Sequence, residues 1–191
     1  MRKALAAVLT GAALVGLAST ASAADQTDFP WPPKDITPVH KTKAELQKQA
    51  EEFSAHQRQS FPAIFPGAQY VTPGLWGGER GGQFEEGMQY MANQVFFRQH
   101  GEKTSVIMQV NAPGLFSRSP KEFCEQTTCV GTVSDGQGGV IVFSEDERYH
   151  NDRDAHNFRP NGEVVWIQGD KSDDLAVLGA VASDRAYTFT R

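Results

Sequence analysis

Between residues 88 and 169 polar and apolar side chains alternate, and glycine-bearing turns cut the alternation into pieces of strand length. A period of two is the pattern of a half-buried strand, and short turns between such pieces mean hairpins. MQYMANQVFFRQH and TSVIMQV flank Gly101-Glu102-Lys103, where Gly101 can take the positive φ a hairpin turn wants. CVGTVS and VIVFSED flank DGQGG, and ERYHNDRDAHNF and EVVWIQG flank RPNG, whose Asn161-Gly162 is a strong turn dipeptide. A sheet of hairpins has to bury its apolar face against something. Two helical stretches offer the cover. Thr42 followed by Glu45 is a capping box, and Leu46, Ala50 and Phe53 follow at helical spacing, which predicts a helix over 43–59 that stops before Pro62. Near the other end Ser172 reads as a cap, with Asp173 and Asp174 at the positive helix end and Leu175, Leu178 and Val181 on one stripe. The order argues an α+β fold, a twisted antiparallel sheet of hairpins with an N-terminal and a C-terminal helix packed on it.

The first 23 residues read as a signal peptide. Arg2 and Lys3 form a basic start, residues 4–18 are small or apolar, and Ala21-Ser22-Ala23 fits a peptidase site. The apolar run is about 15 residues, short of the roughly 20 that span a bilayer. Residues 24–41 hold Pro30, Pro32, Pro33 and Pro38, which forbid a helix and suggest an extended tether with Trp31 docked on the body. Residues 42–191 then make a single domain. Removing residues 1–23 leaves 168 and takes the net charge from −5 to −7. Such a chain is poorly suited to nucleic acid or an anionic membrane, both of which attract positive charge. Export places Cys124 and Cys129 in an oxidising space, where a disulfide is expected.

Six glycines fall between Gly74 and Gly87, but neither GK[ST] nor GxGxxG accompanies them. The stretch reads as a mobile surface loop presenting Trp76 and Arg80 as binding residues, with Tyr149 as a third. Tyr149 opens YHNDRDAH, the densest cluster of chemistry in the chain. On a strand His150, Asp152, Asp154 and His156 share a face. Alternate Cα atoms stand about 6.6 Å apart, so the two histidines are separated by about 20 Å. A zinc ion needs ligand atoms about 2 Å away, so the four cannot share one metal without help from a neighbouring strand, such as Glu163. Tyr149, Asn151, Arg153 and Ala155 make no core stripe, so both faces look wet. The preferred reading is a solvated hairpin whose acids pair with Arg148 and Arg153, and a metal site at His150, Asp152, Asp154 and His156 is the alternative.

GxSxG, SxxK and HExxH are absent. His40, His56 and His100 lie apart and read as surface residues. Phe96, Phe97, Phe143, Trp166 and Phe189 read as core, and Trp31 and Trp76 as the exposed aromatics. No cofactor motif occurs, and none is expected. From Cys124 to Asp184, the succession of DGQGGV, RPNGEVVWIQ and DDLAVLGAVASD resembles small exported actinobacterial proteins of unassigned function. That resemblance implies a secreted protein and supplies no catalytic residue. The sequence thus favours a secreted, non-enzymatic module that binds an unknown protein or cell-wall partner. A secreted hydrolase, or a divalent-metal binder built on residues 149–156, is the alternative.

Overall fold

The computed structural model describes residues 29–78, 82–146 and 152–191. Helix α1 (Lys43–Ile64) leads into strand β1 (Gln69–Pro73) and the hairpin β2 (Tyr90–Gln99) and β3 (Glu102–Asn111). Helix α2 (Pro120–Gln126) precedes β4 (Thr128–Ser134), β5 (Val140–Asp146), β6 (Asp152–Phe158), β7 (Val164–Asp170) and α3 (Leu175–Ser183). Among the described residues the strands form one antiparallel sheet in the order β1-β2-β3-β7-β6-β5-β4. With α1 and α3 packed on the sheet, the fold is α+β, as the sequence predicts.

The first hairpin is tighter than expected. Its turn is His100-Gly101, both at positive φ (52° and 89°), and Glu102 and Lys103 already belong to β3. Two left-handed residues match the right-handed twist of the flanking strands. Helix α1 begins on the predicted capping box, with Thr42 accepting from the Glu45 amide. It does not stop before Pro62 but runs two residues past it, to Ile64. Pro62 has no N–H for the Arg58 carbonyl, yet Phe61 and Phe65 are both buried and stack 5.1 Å apart, anchoring the last turn. Helix α3 is capped by Asp174 rather than Ser172. The Asp174 carboxylate accepts from the Ala176 amide, while Ser172 bonds Asp170. The short helix α2 and the edge strand β1 fall where the sequence reads as loop. Helix α2 has its own capping box, Ser119 with Glu122.

Strand parity divides the core. On one face Met91, Val95, Val106, Met108, Val110, Ile167 and Phe143 meet Leu46, Phe53 and Phe61 of α1 and Leu178 and Val181 of α3. The last residues bury Tyr187 and Phe189 in this core. On the other face Val140, Val142, Phe158 and Val164 are covered by Phe123 of α2 and by Phe29, Trp31 and Phe116. The described part of the proline-rich segment therefore lies against the body. Trp31 donates its Nε1–H to the Phe116 carbonyl and meets Phe158 edge-on at 5.2 Å. Of the aromatics read as core, Phe96 is 47% exposed, because its parity points it away from both helices.

Candidate functional site

The glycine-rich stretch is held to the sheet. Gly74 donates to the Gln94 carbonyl, and Gly77 exchanges both backbone bonds with Ala92, so the chain continues to pair with β2 beyond the end of β1. A Cβ on Gly77 would stand 2.4 Å from the Gly82 amide nitrogen. Glycine is needed there because the loop folds back on itself, a steric demand rather than a phosphate cradle. Pinned on both sides, Trp76 can only turn inward. It is 3% exposed, packs 5.3 Å from Phe53, and donates its indole N–H to Ser54 Oγ. The expectation of an exposed Trp76 is overturned. Its neighbour Leu75 points outward instead, 82% exposed. Arg80 lies outside the described residues.

Between this loop and α1 runs a groove of about 590 Å³. One wall is the helix stripe Gln47, Ala50, Glu51, Ser54 and Arg58, at the three- and four-residue spacing of a single helix face. The floor is Ala50, Trp76 and Phe84, and Leu75 stands at the other rim. Glu51 and Arg58 are seven residues apart, about 10 Å along the axis, so the helix wall has a negative and a positive station over an apolar floor. Small residues at positions 50 and 54 leave the space, and they were the signal in the sequence that sat beside the apolar stripe Leu46, Phe53 and Phe61.

The histidine–aspartate strand is the second place to look. Tyr149 and His150 lie outside the described residues. Asp152, Asp154 and His156 do share a face, but the expectation of a strand wet on both sides fails. β6 has β5 and β7 as neighbours, α3 over one face and α2 over part of the other. Across the α2 side, register aligns Gln94, Ile107, Gln168, Asp154 and Ser144 in one row. The next row is Ala92, Gln109, Trp166, His156 and Val142, and the one beyond is Tyr90, Asn111, Val164, Phe158 and Val140. The face grades from wet to dry in that direction. Asp152 is half-buried and accepts from Gln168 Nε2 at 3.1 Å, in a shallow hollow of about 310 Å³ with Gln94, Ser105 and Ile107. Asp154 is buried and takes the Trp166 indole N–H at 3.0 Å.

His156 is boxed by Phe123, Phe116 and Trp166, with ring centroids 4.3, 6.2 and 5.7 Å away, and its Nδ1 has no hydrogen-bond partner among the described residues. Burial, and secondarily the Arg118 charge, pushes its pKa down to about 3, so the ring is neutral. Glu163, the ligand expected from a neighbouring strand, is fully buried and bound to Arg159. Among the described residues no three His, Cys, Asp or Glu side chains come together to hold a metal ion. Arg153 pairs with Glu145 of β5, not with the acids of its own strand as expected, and also reaches the Asp173 carbonyl, while Arg148 lies outside the described residues.

Cys124 and Cys129 are joined in a disulfide that ties α2 to β4. His56, read as a free surface residue, sits 2.6 Å from Asp184 Oδ2 and edge-on to Tyr187, clamping α1 to the turn after α3. No helix among the described residues is long and apolar enough to cross a membrane. Compared with known protein families, curated proteins and solved structures, the chain matches none.

Proposed function

We propose that this chain is an exported binding module, and that it takes its partner in the groove between α1 and the glycine-rich loop. The observation that carries the reading is the groove itself. An apolar floor of rigidly held aromatics lies beneath a rim with opposite charges at its two stations. Such a site suits an extended segment of a partner protein that sets one apolar side chain on the Trp76 and Phe84 floor and an acidic group against Arg58. The disulfide and the signal-like N-terminus support export, and the acidic charge disfavours a nucleic-acid partner. The hydrolase and metal-binding alternatives are less favoured. The buried His156 is sealed among aromatics, and Asp152 is engaged by an amide rather than by a second titratable group.

The test has two parts. Mass spectrometry of the protein recovered from culture medium should find Ala24 as its first residue. The protein should also retain a partner from the surface extract of its own cells. Leu75→Glu and Arg58→Glu, both exposed and harmless to folding, should each weaken that retention about tenfold or more, as expected for a hot-spot contact. Retention unchanged in both variants would remove the groove from consideration.

A further inference from the structure

The sheet has two edges, and they are finished differently. β1 is blunted. Tyr70 sits at φ 56°, the pairing with β2 is irregular between Gln69 and Thr72, and Pro73 closes the strand. These are devices that keep a sheet from pairing with another chain. β4, TCVGTVS, has no charged residue and no proline, and its one interruption is the bulge between Cys129 and Gly131. Among the described residues it pairs with β5 alone. Val130 and Val133 are 44% and 43% exposed.

The strand is also held ready. The disulfide fixes its start to α2, and at its far end Asp135 accepts from the Gly139 amide and from Arg185. On the α3 side of this edge lies an apolar hollow of about 300 Å³, floored by Ile141 and Phe143 and rimmed by Val133, Ala176 and Ala180.

We propose that β4 is an interface for a second copy of this chain, the two β4 strands pairing antiparallel about a twofold axis perpendicular to the sheet. Such an axis keeps each face on its own side, so a residue on the α3 face meets the α3 face of the copy. Centred on Val133, the pairing sets that side chain against its symmetry mate at the mouths of both hollows. The strand brings no charge, so self-pairing opposes no like charges, although the whole chain is acidic. Within the molecule the alternative neutral strand is β1, whose blunted edge would also leave a head-to-tail chain open rather than closed. A foreign neutral strand would fit the same edge but would leave the chain at single-copy mass.

Sedimentation velocity on the protein purified from expression of the full chain decides the matter. The expected result is a shift from one-chain to two-chain mass between low micromolar and high micromolar concentration. Val133→Lys, a charge placed on an exposed edge position, should stay at one-chain mass throughout with an unchanged thermal melt. Val133→Cys should become a covalent dimer on mild oxidation, which reads the twofold register without relying on the lysine variant. A wild-type chain that stays monomeric overturns the proposal. So does a dimer that Val133→Lys leaves intact, or the absence of the cysteine cross-link.

Discussion

The two faces of the sheet bury polar groups in different ways. Under α1 and α3 each of these buried polar side chains finds at least one partner, and among the described residues only Asn157 Oδ1 and Arg159 Nε are left over on residues that are otherwise bonded. Gln57 and Asn93 exchange amide bonds at 3.0 and 2.9 Å. Arg159 binds Glu163 and the carbonyls of Ala182, Asp184 and Tyr187, while Glu163 also accepts from Thr188 Oγ1 and the Thr190 amide. Under α2 the sheet buries His156 with an unpaired Nδ1 among aromatic rings. A paired polar group specifies how elements dock, since each partner must be in place. An unpaired one contributes little to docking and leaves the face sensitive to whatever would charge it. The helix-covered face should therefore fail by mutation, and the α2 face by acid.

The largest effect tests the first half of that contrast. Glu163→Ala leaves the Arg159 guanidinium buried without its counter-charge and frees the Thr188–Thr190 segment. The expected loss is about 3–5 kcal/mol, read from urea unfolding at neutral pH. Glu163→Gln, which can still accept from Thr188, should lose less. A loss under about 1 kcal/mol for the alanine variant would show that the ion pair does not hold the C-terminal segment down.

Acid tests the second half. The folded pKa of His156 is depressed to about 3, whereas an unfolded histidine titrates near 6.5. Below 6.5 the unfolded chain therefore binds a proton that the folded chain refuses, and stability is lost as pH falls from about 6.5 toward 3. By about pH 4.5 the loss should be about 3 kcal/mol. Glu163 also contributes stability that acid removes. Burial alone would raise its pKa, but the Thr188 bond and the Arg159 charge, with the Thr190 bonds, hold it below the usual range. Its contribution is present above its unfolded value and disappears only below about pH 4.5. Asp173, raised by burial, works in the opposite sense and gains stability on acidification. The His156→Leu difference isolates the imidazole. That variant should match or slightly exceed the wild type at pH 7 and lose the downward slope between pH 6.5 and 4.5. Equal slopes in the two proteins would mean that His156 is not sealed from solvent.

These contrasts were only partly legible in the sequence. Alternation and Asn161-Gly162 located the hairpins, and Thr42 with Glu45 located α1, because those signals depend on neighbours close in the chain. The burial of β6 depends on strand order instead. The connection from β3 through α2 carries the chain to the far edge, so β7 returns beside β3 and leaves β6 between β5 and β7. Polar residues on a central strand read the same as on a free one until that order is known. Trp76 is a similar case, for its inward turn follows from the backbone bonds of Gly74 to Gln94 and of Gly77 to Ala92, 20 and 15 positions away along the chain. The groove was half visible. Its loop was a candidate site, but its helix wall needed the third dimension.

The smallest effect sharpens the comparison within one strand. Asp152 and His156 stand on the same face of β6, four residues apart, yet one sits at the wet end of the gradient and the other at the dry end. Asp152→Ala removes one half-exposed hydrogen bond from Gln168, which water can replace. Its cost should be below about 1 kcal/mol. His156→Ala should cost several times more at neutral pH, because the void it leaves beside Phe123 and Trp166 cannot be filled by solvent without wetting aromatic surface. If the two alanine variants were equally mild, α2 would not be sealing the His156 end, and the gradient across this face would have to be redrawn with Phe123 standing off the sheet.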